Sequence, residues 1–174
     1  NLENFHLVEV GSYFDTGTEA WKKVEAVLLN DSDTISFGTE SNMMWEQSTH
    51  SIFTRESSGT NISAFKAPDE FLGYKEKYYG GSLSFELRNL QYDRGIPYSP
   101  INGVMLQAGD GTILTTKLHD TPINAWRQFE VLLDDSTDWK IGSADGVTAT
   151  EAEIKNVLKD LTGLYIRGQY FSGE

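Results

Sequence analysis

The strongest constraint on the fold is a two-residue alternation of apolar and polar side chains, set in short runs cut off by Gly, Asn, Asp and Ser. A β-strand sends successive side chains to opposite faces, so alternation marks a strand with one face buried and the other in water. Ser82–Arg88 shows it most clearly, with Leu83, Phe85 and Leu87 on one face against Ser82, Ser84 and Glu86 on the other. Phe5–Val10, Ser51–Arg55, Ile62–Lys66, Val104–Gln107, Thr112–Leu118 and Leu164–Gly168 are further strand candidates. Trp126–Leu133 alternates through Phe129, Val131 and Leu133, and Trp21–Leu29 reads as a loop followed by a strand. Asp110-Gly111 predicts a hairpin between its flanking strands. Asn30-Asp31-Ser32-Asp33 reads as a turn, and Glu56–Asn61 as a hairpin or a sheet-crossing connection.

One segment has a different period. Thr150 and Glu153 have capping-box spacing, and Ile154, Val157, Leu158 and Leu161 follow at helical intervals. Lys155 and Lys159 suit the negative end of a helix, and Gly163 is placed to stop it. This predicts a single short helix from about Glu151 to Leu161. Many short strands, regular turns and one helix imply an all-β fold, a jelly-roll β-sandwich, built as a single domain over residues 1–174.

Composition narrows the function. With 26 acidic against 14 basic side chains the formal net charge is −12, a surface that repels phosphate backbones and argues against nucleic acid as a partner. The absence of cysteine rules out disulfides, thiolate metal sites and cysteine nucleophiles. No apolar run is long enough to span a bilayer, so membrane insertion is not expected. Asn1 in place of Met points to a processed chain or an excised piece. Catalytic patterns are missing as well. His6, His50 and His119 stand apart without zinc spacing, and there is no G-x-S-x-G elbow. The chain is therefore not expected to be an enzyme. Asp31 with Asp33, and Asp134-Asp135-Ser136-Thr137-Asp138, read as solvated turns.

Three blocks resemble the laminin IV (laminin B) domain family, including its bacterial and algal branch. Phe14-Asp15-Thr16-Gly17-Thr18-Glu19-Ala20-Trp21 is similar to the family's opening F-D-x-G-x-E-G-W. Phe65-Lys66-Ala67-Pro68-Asp69-Glu70-Phe71-Leu72-Gly73, continuing to Tyr79-Gly80-Gly81-Ser82-Leu83-Ser84-Phe85, resembles A-P-x-x-F-L-G…Y-G-x-x-L-x-F. Trp126-Arg127-Gln128-Phe129 and Leu161-Thr162-Gly163-Leu164-Tyr165-Ile166-Arg167-Gly168-Gln169-Tyr170 resemble the third block, W-x-x-F followed by a helix and L-x-x-I-R-G-x-Y, the leucine before I-R-G-x-Y standing one residue closer here. The resemblance implies a jelly-roll module found outside cells, in matrix or cell-surface proteins, with no chemistry of its own.

Family members close with a strand reading G-L-D-N-V-x-L, whereas this chain ends Phe171-Ser172-Gly173-Glu174 and begins with a segment, Asn1–Leu7, that resembles it with Glu for Asp. Leu2, Phe5, Leu7, Val8 and Val10 would then belong to an assembly strand. It could fill the gap in cis through permutation, act in a tandem array, or complete a neighbouring copy in trans; it could also be an ordinary first strand. The expected partners are copies of the chain or neighbouring repeats. In the closing position Glu3 would lie near Asp15, where related jelly rolls hold Ca²⁺ on hard oxygen ligands; a pair of turn-forming carboxylates is the alternative.

The alternative function is carbohydrate binding, with polysaccharide as the partner and exposed aromatic faces as the platform. Trp21 and Trp126 lie in family motifs and are expected in the core. Trp45, beside Met43 and Met44, and Trp139, in a polar loop, are the candidates for exposure. The Met43-Met44-Trp45 segment could equally form a protein contact.

Overall fold

The structure is a computed structural model that describes residues 10–27, 34–54, 62–90 and 102–170. Most of the Phe5–Val10 strand candidate lies outside this range, as do the turns at Asn30–Asp33 and Glu56–Asn61. Val10 is half-buried and has no regular structure.

Eleven strands and one α-helix are described. In chain order they are β1 (Lys22–Val27), β2 (Ser36–Asn42), β3 (Met44–Glu46), β4 (Ser51–Phe53), β5 (Ile62–Lys66), β6 (Ser82–Leu87), β7 (Val104–Ala108), β8 (Ile113–Thr116), β9 (Arg127–Leu132), β10 (Lys140–Ile141), α1 (Glu151–Lys159) and β11 (Leu161–Arg167). A seven-stranded antiparallel sheet has the order β10-β8-β7-β11-β5-β1-β2, and β3–β4 and β6–β9 form separate two-stranded ladders. β4 and β5 fall in different sheets. Together these make the all-β sandwich that alternation predicted.

The main core lies between one face of the large sheet and the β6–β9 ladder. Phe65, Val104, Leu106, Leu114, Leu164 and Ile166 come from the sheet, and Leu87, Phe129 and Val131 from the ladder. Helix α1 adds Ile154, Val157 and Leu158 to the same core. Its capping box forms as predicted: the Thr150 N–H donates to Glu153 Oε2 at 2.7 Å, and the Glu153 N–H to Thr150 Oγ1 at 3.4 Å. The helix ends earlier than its apolar spacing suggests. Asp160 leaves helical geometry, and Leu161 opens β11 with its N–H on Gly73 O at 3.1 Å.

Gly163 is therefore a strand residue rather than a helix stop. A Cβ there would come 2.4 Å from Cε2 of Tyr165, whose ring lies over this position. The Tyr165 hydroxyl donates to Gln107 Oε1 at 3.0 Å, on the residue paired with Gly163 across the ladder.

The second face of the large sheet carries a smaller core of Val24, Ala26, Ile62, Ala64, Met105 and Tyr165, with Ile35 and Phe37 packed on it. The first and last of seven strands would lie about 29 Å apart in a flat sheet. Here the Ile35 N–H, just before β2, donates to Gly142 O, just after β10, at 3.3 Å. The sheet rolls toward this face, and a register shift between Val24 and Ala26 bends the start of β2 inward. Phe37 consequently stacks on Tyr165 with ring centroids 3.7 Å apart.

Candidate interaction surfaces

The three sequence blocks meet in space. Trp21 of the first block is buried as expected, its indole N–H on Ser12 Oγ at 2.9 Å. Its ring meets Phe14 edge-on at 6.2 Å and Phe71 of the second block at 5.5 Å. The second block is sewn to the third by main-chain bonds: Ala67 N–H to Leu164 O at 2.9 Å, Gly73 N–H to Leu161 O at 2.7 Å and Lys75 N–H to Leu158 O at 2.7 Å. Gly168 fits because a Cβ there would come 2.7 Å from the Phe65 ring. These motif residues build the frame of the domain.

Asp15 is exposed, in a loop where Phe14, Gly17, Glu19 and Ala20 take positive φ. Its carboxylate meets Nδ1 of His50 at 2.9 Å, and Glu19 Oε2 accepts the Tyr13 N–H at 3.1 Å. Glu3, the proposed second calcium ligand, lies outside the described residues. Among the described residues no group of three or more His, Asp or Glu side chains is arranged to hold a metal ion.

The four tryptophans correct part of the sequence reading. Trp139 is fully buried, with its indole N–H on Leu132 O at 3.1 Å, so it offers no face to a ligand. Its polar sequence neighbours concealed an inserted plug for the core. Trp45 is half-buried, with its N–H held by Phe14 O at 2.8 Å. The apolar residues exposed on its hairpin are Met44 and Phe53, which face each other across β3–β4. Trp126, expected in the core, is 41% exposed. Alternation explains this, since Trp126 is three residues from the buried Phe129 and points to the opposite face.

A surface groove of about 410 Å³ is lined by Glu19, Lys22, Glu40, Lys66, Asp69 and Glu70, among others. Lys66 and Glu40 form an ion pair across it, and the hydrogen bond that Lys66 donates to Glu40 raises the Lys66 pKa above its ordinary value. Lys22 Nζ donates to Asn42 Oδ1 at 2.8 Å. These pairs finish the polar end of the rolled face; they do not set an acid and a base toward a shared point.

The β6–β9 ladder presents another surface. Its register runs from Ser82↔Leu132 to Leu87↔Arg127, with Leu83, Phe85, Phe129 and Val131 turned to the core. The opposite face presents Ser82, Ser84, Glu86, Gln128, Glu130 and Leu132, all exposed. No other described strand pairs with β6 or with β9, so among the described residues each has one ladder edge without a partner strand.

Comparison with known proteins gives the family. The Laminin B (Domain IV) family matches residues 64–174. Laminin subunit gamma-2 of Equus caballus is 25% identical over 173 residues, which is 96% of this chain and 13% of that protein. The chain therefore spans only a small part of that relative. The solved L4b domain of human laminin alpha-2 superposes with a TM-score of 0.54 at 21% identity, over 63% of this chain and 61% of that one, and so shares the fold. On the match over residues 64–174, more than half of its length, the chain belongs to the Laminin B (Domain IV) family.

Proposed function

We propose that this domain is a non-catalytic structural module of an extracellular or cell-surface protein, and that it joins neighbouring copies or repeats by strand addition. The observation that carries the proposal is the β6–β9 ladder, which has no third described strand on either side. An open ladder edge is a template for another strand, with main-chain hydrogen bonds giving affinity and alternate side chains giving specificity. Residues 1–10, whose first seven are similar to the family's closing strand, supply a candidate donor through Leu2, Phe5, Leu7, Val8 and Val10. Family membership supports the extracellular setting. The relative's name, a laminin subunit, is that of a protein built into a larger assembly.

The test is the mass of the purified chain in solution with and without residues 1–10. The proposal predicts multimers that grow with concentration for the intact chain and a monomer for the shortened one. If both are monomeric, or both multimerise alike, strand addition through this segment is wrong.

A further inference from the structure

We infer that the outward face of the β6–β9 ladder binds a neutral oligosaccharide, with Trp126 as its stacking surface. Continuing the register one step past Leu87↔Arg127 sets Arg88 opposite Trp126 on the outward side. The Arg88 guanidinium lies over the indole, 4.9 Å from its centroid. Trp126 directly precedes β9 and Arg88 directly follows β6, and an indole held by that cation is ordered before any ligand arrives, which lowers the entropy lost on binding. It is nonetheless 41% exposed.

Beside it runs a polar row of Ser84, Glu86, Gln128 and Glu130, whose side chains make no hydrogen bond or ion pair with a described residue. Many other exposed charges are paired, as in Lys155 with Glu151, Lys159 with Glu76 at 3.3 Å and Lys140 with Asp138 at 2.9 Å. Among the described residues, the outward row thus has donors and acceptors without partners next to an aromatic face. A sugar ring matches that combination, because its C–H face stacks on indole while its hydroxyls both give and accept hydrogen bonds.

Size and charge select the ligand class. From Trp126 to Leu132 the face runs about 20 Å, and two strands make it about 10 Å wide, or roughly 200 Å². A stable protein interface needs about 800 Å² on each partner. A short saccharide chain lying along the strands fits the smaller area. Glu86 and Glu130 outnumber Arg88 on the face, and the whole chain carries −12, so an anionic glycan would be repelled. A strand added at the ladder edge would lie beside this face rather than over it, so sugar binding and strand addition can fail independently.

The test is a two-dimensional NMR titration of the full chain with a panel of neutral hexasaccharides: β-linked glucan, α-linked glucan, xylan and mannan fragments. Trp126→Ala and Arg88→Ala variants are run in parallel, after cooperative melting confirms that they fold. The inference predicts saturable shifts confined to β6, β9 and the Trp126 indole for at least one sugar, and about tenfold weaker binding in Trp126→Ala. It is overturned if no panel member shifts these signals at millimolar concentration, or if Trp126→Ala binds as well as the parent. Tighter binding of a sulfated analogue would overturn the neutral class, and self-association that broadens the Trp126 signal even in the chain lacking residues 1–10 would assign the face to a protein contact instead.

Discussion

Replacing Gly163 with Ala tests how the rolled face is held. The new Cβ would sit 2.4 Å from Cε2, 2.7 Å from Cζ and 2.7 Å from the hydroxyl oxygen of Tyr165. Carbon atoms pack best at about 3.5–4.0 Å, so the ring would have to withdraw by about 1 Å or more. A free tyrosine could do so cheaply. This one is stacked on Phe37 at 3.7 Å and bonded to Gln107 at 3.0 Å. Losing the stack costs about 0.5–1.5 kcal/mol and losing the hydrogen bond about the same, for a total of about 1–3 kcal/mol. In a domain of 174 residues that lowers Tm by about 2–12 °C. With Tyr165→Ala as background the sign reverses. No ring remains to clash, and Ala for Gly within a strand gains about 0.5–1 kcal/mol from reduced backbone entropy in the unfolded chain. Denaturant melts of the four proteins give the coupling directly. Equal effects of Gly163→Ala in both backgrounds would refute this account of the glycine.

Three other predictions follow from the same geometry. Trp139→Ala should cost about 3–5 kcal/mol in a urea melt, whereas Trp126→Ala should cost no more than about 1 kcal/mol, the worth of its exposed contact with Arg88; comparable losses would mean that the two burial assignments are wrong. Burial raises the pKa of the Tyr165 phenol and pushes that of Tyr170 far higher. These groups favour the folded state while neutral, so their contribution is complete below about pH 10 and fades as the unfolded chain ionises above it. Tm measured across that range should fall less steeply for Tyr170→Phe than for the parent, and parallel curves would show that the Tyr170 phenol does not oppose ionisation. If Glu3 and Asp15 share a calcium ion, chelation should lower Tm and added Ca²⁺ should restore it, with Asp15→Asn insensitive to both; a Tm unmoved by chelator removes calcium and leaves the pair of turn-forming carboxylates.

Much of the sandwich was legible because burial on one face writes itself into alternation. Leu83, Phe85 and Leu87 stand in the half-buried ladder strand that their spacing predicted, and the Thr150–Glu153 box placed the helix start. Strand β2 was missed because Ser36–Asn42 is an edge strand, largely exposed and interrupted by a bulge, so neither burial nor strict period marks it. The tryptophans failed for two different reasons. Trp126 was assigned to the core from its motif, although its odd spacing from Phe129 already put it on the other face. Trp139 sits among Asp138, Lys140 and short turns, where no periodic signal distinguishes a buried plug from an exposed ring. Phe37 over Tyr165 depends on the roll of the sheet, a contact between distant strands that local pattern does not encode.

Strand addition at the β6–β9 ladder is tested most directly by amide hydrogen exchange on β6 and β9, compared between the intact chain at high concentration and the chain lacking residues 1–10. Strand addition predicts that the outward amides of one of these two strands gain protection in the intact chain and exchange freely in the shortened one. Equal, rapid exchange of those amides in both would contradict it.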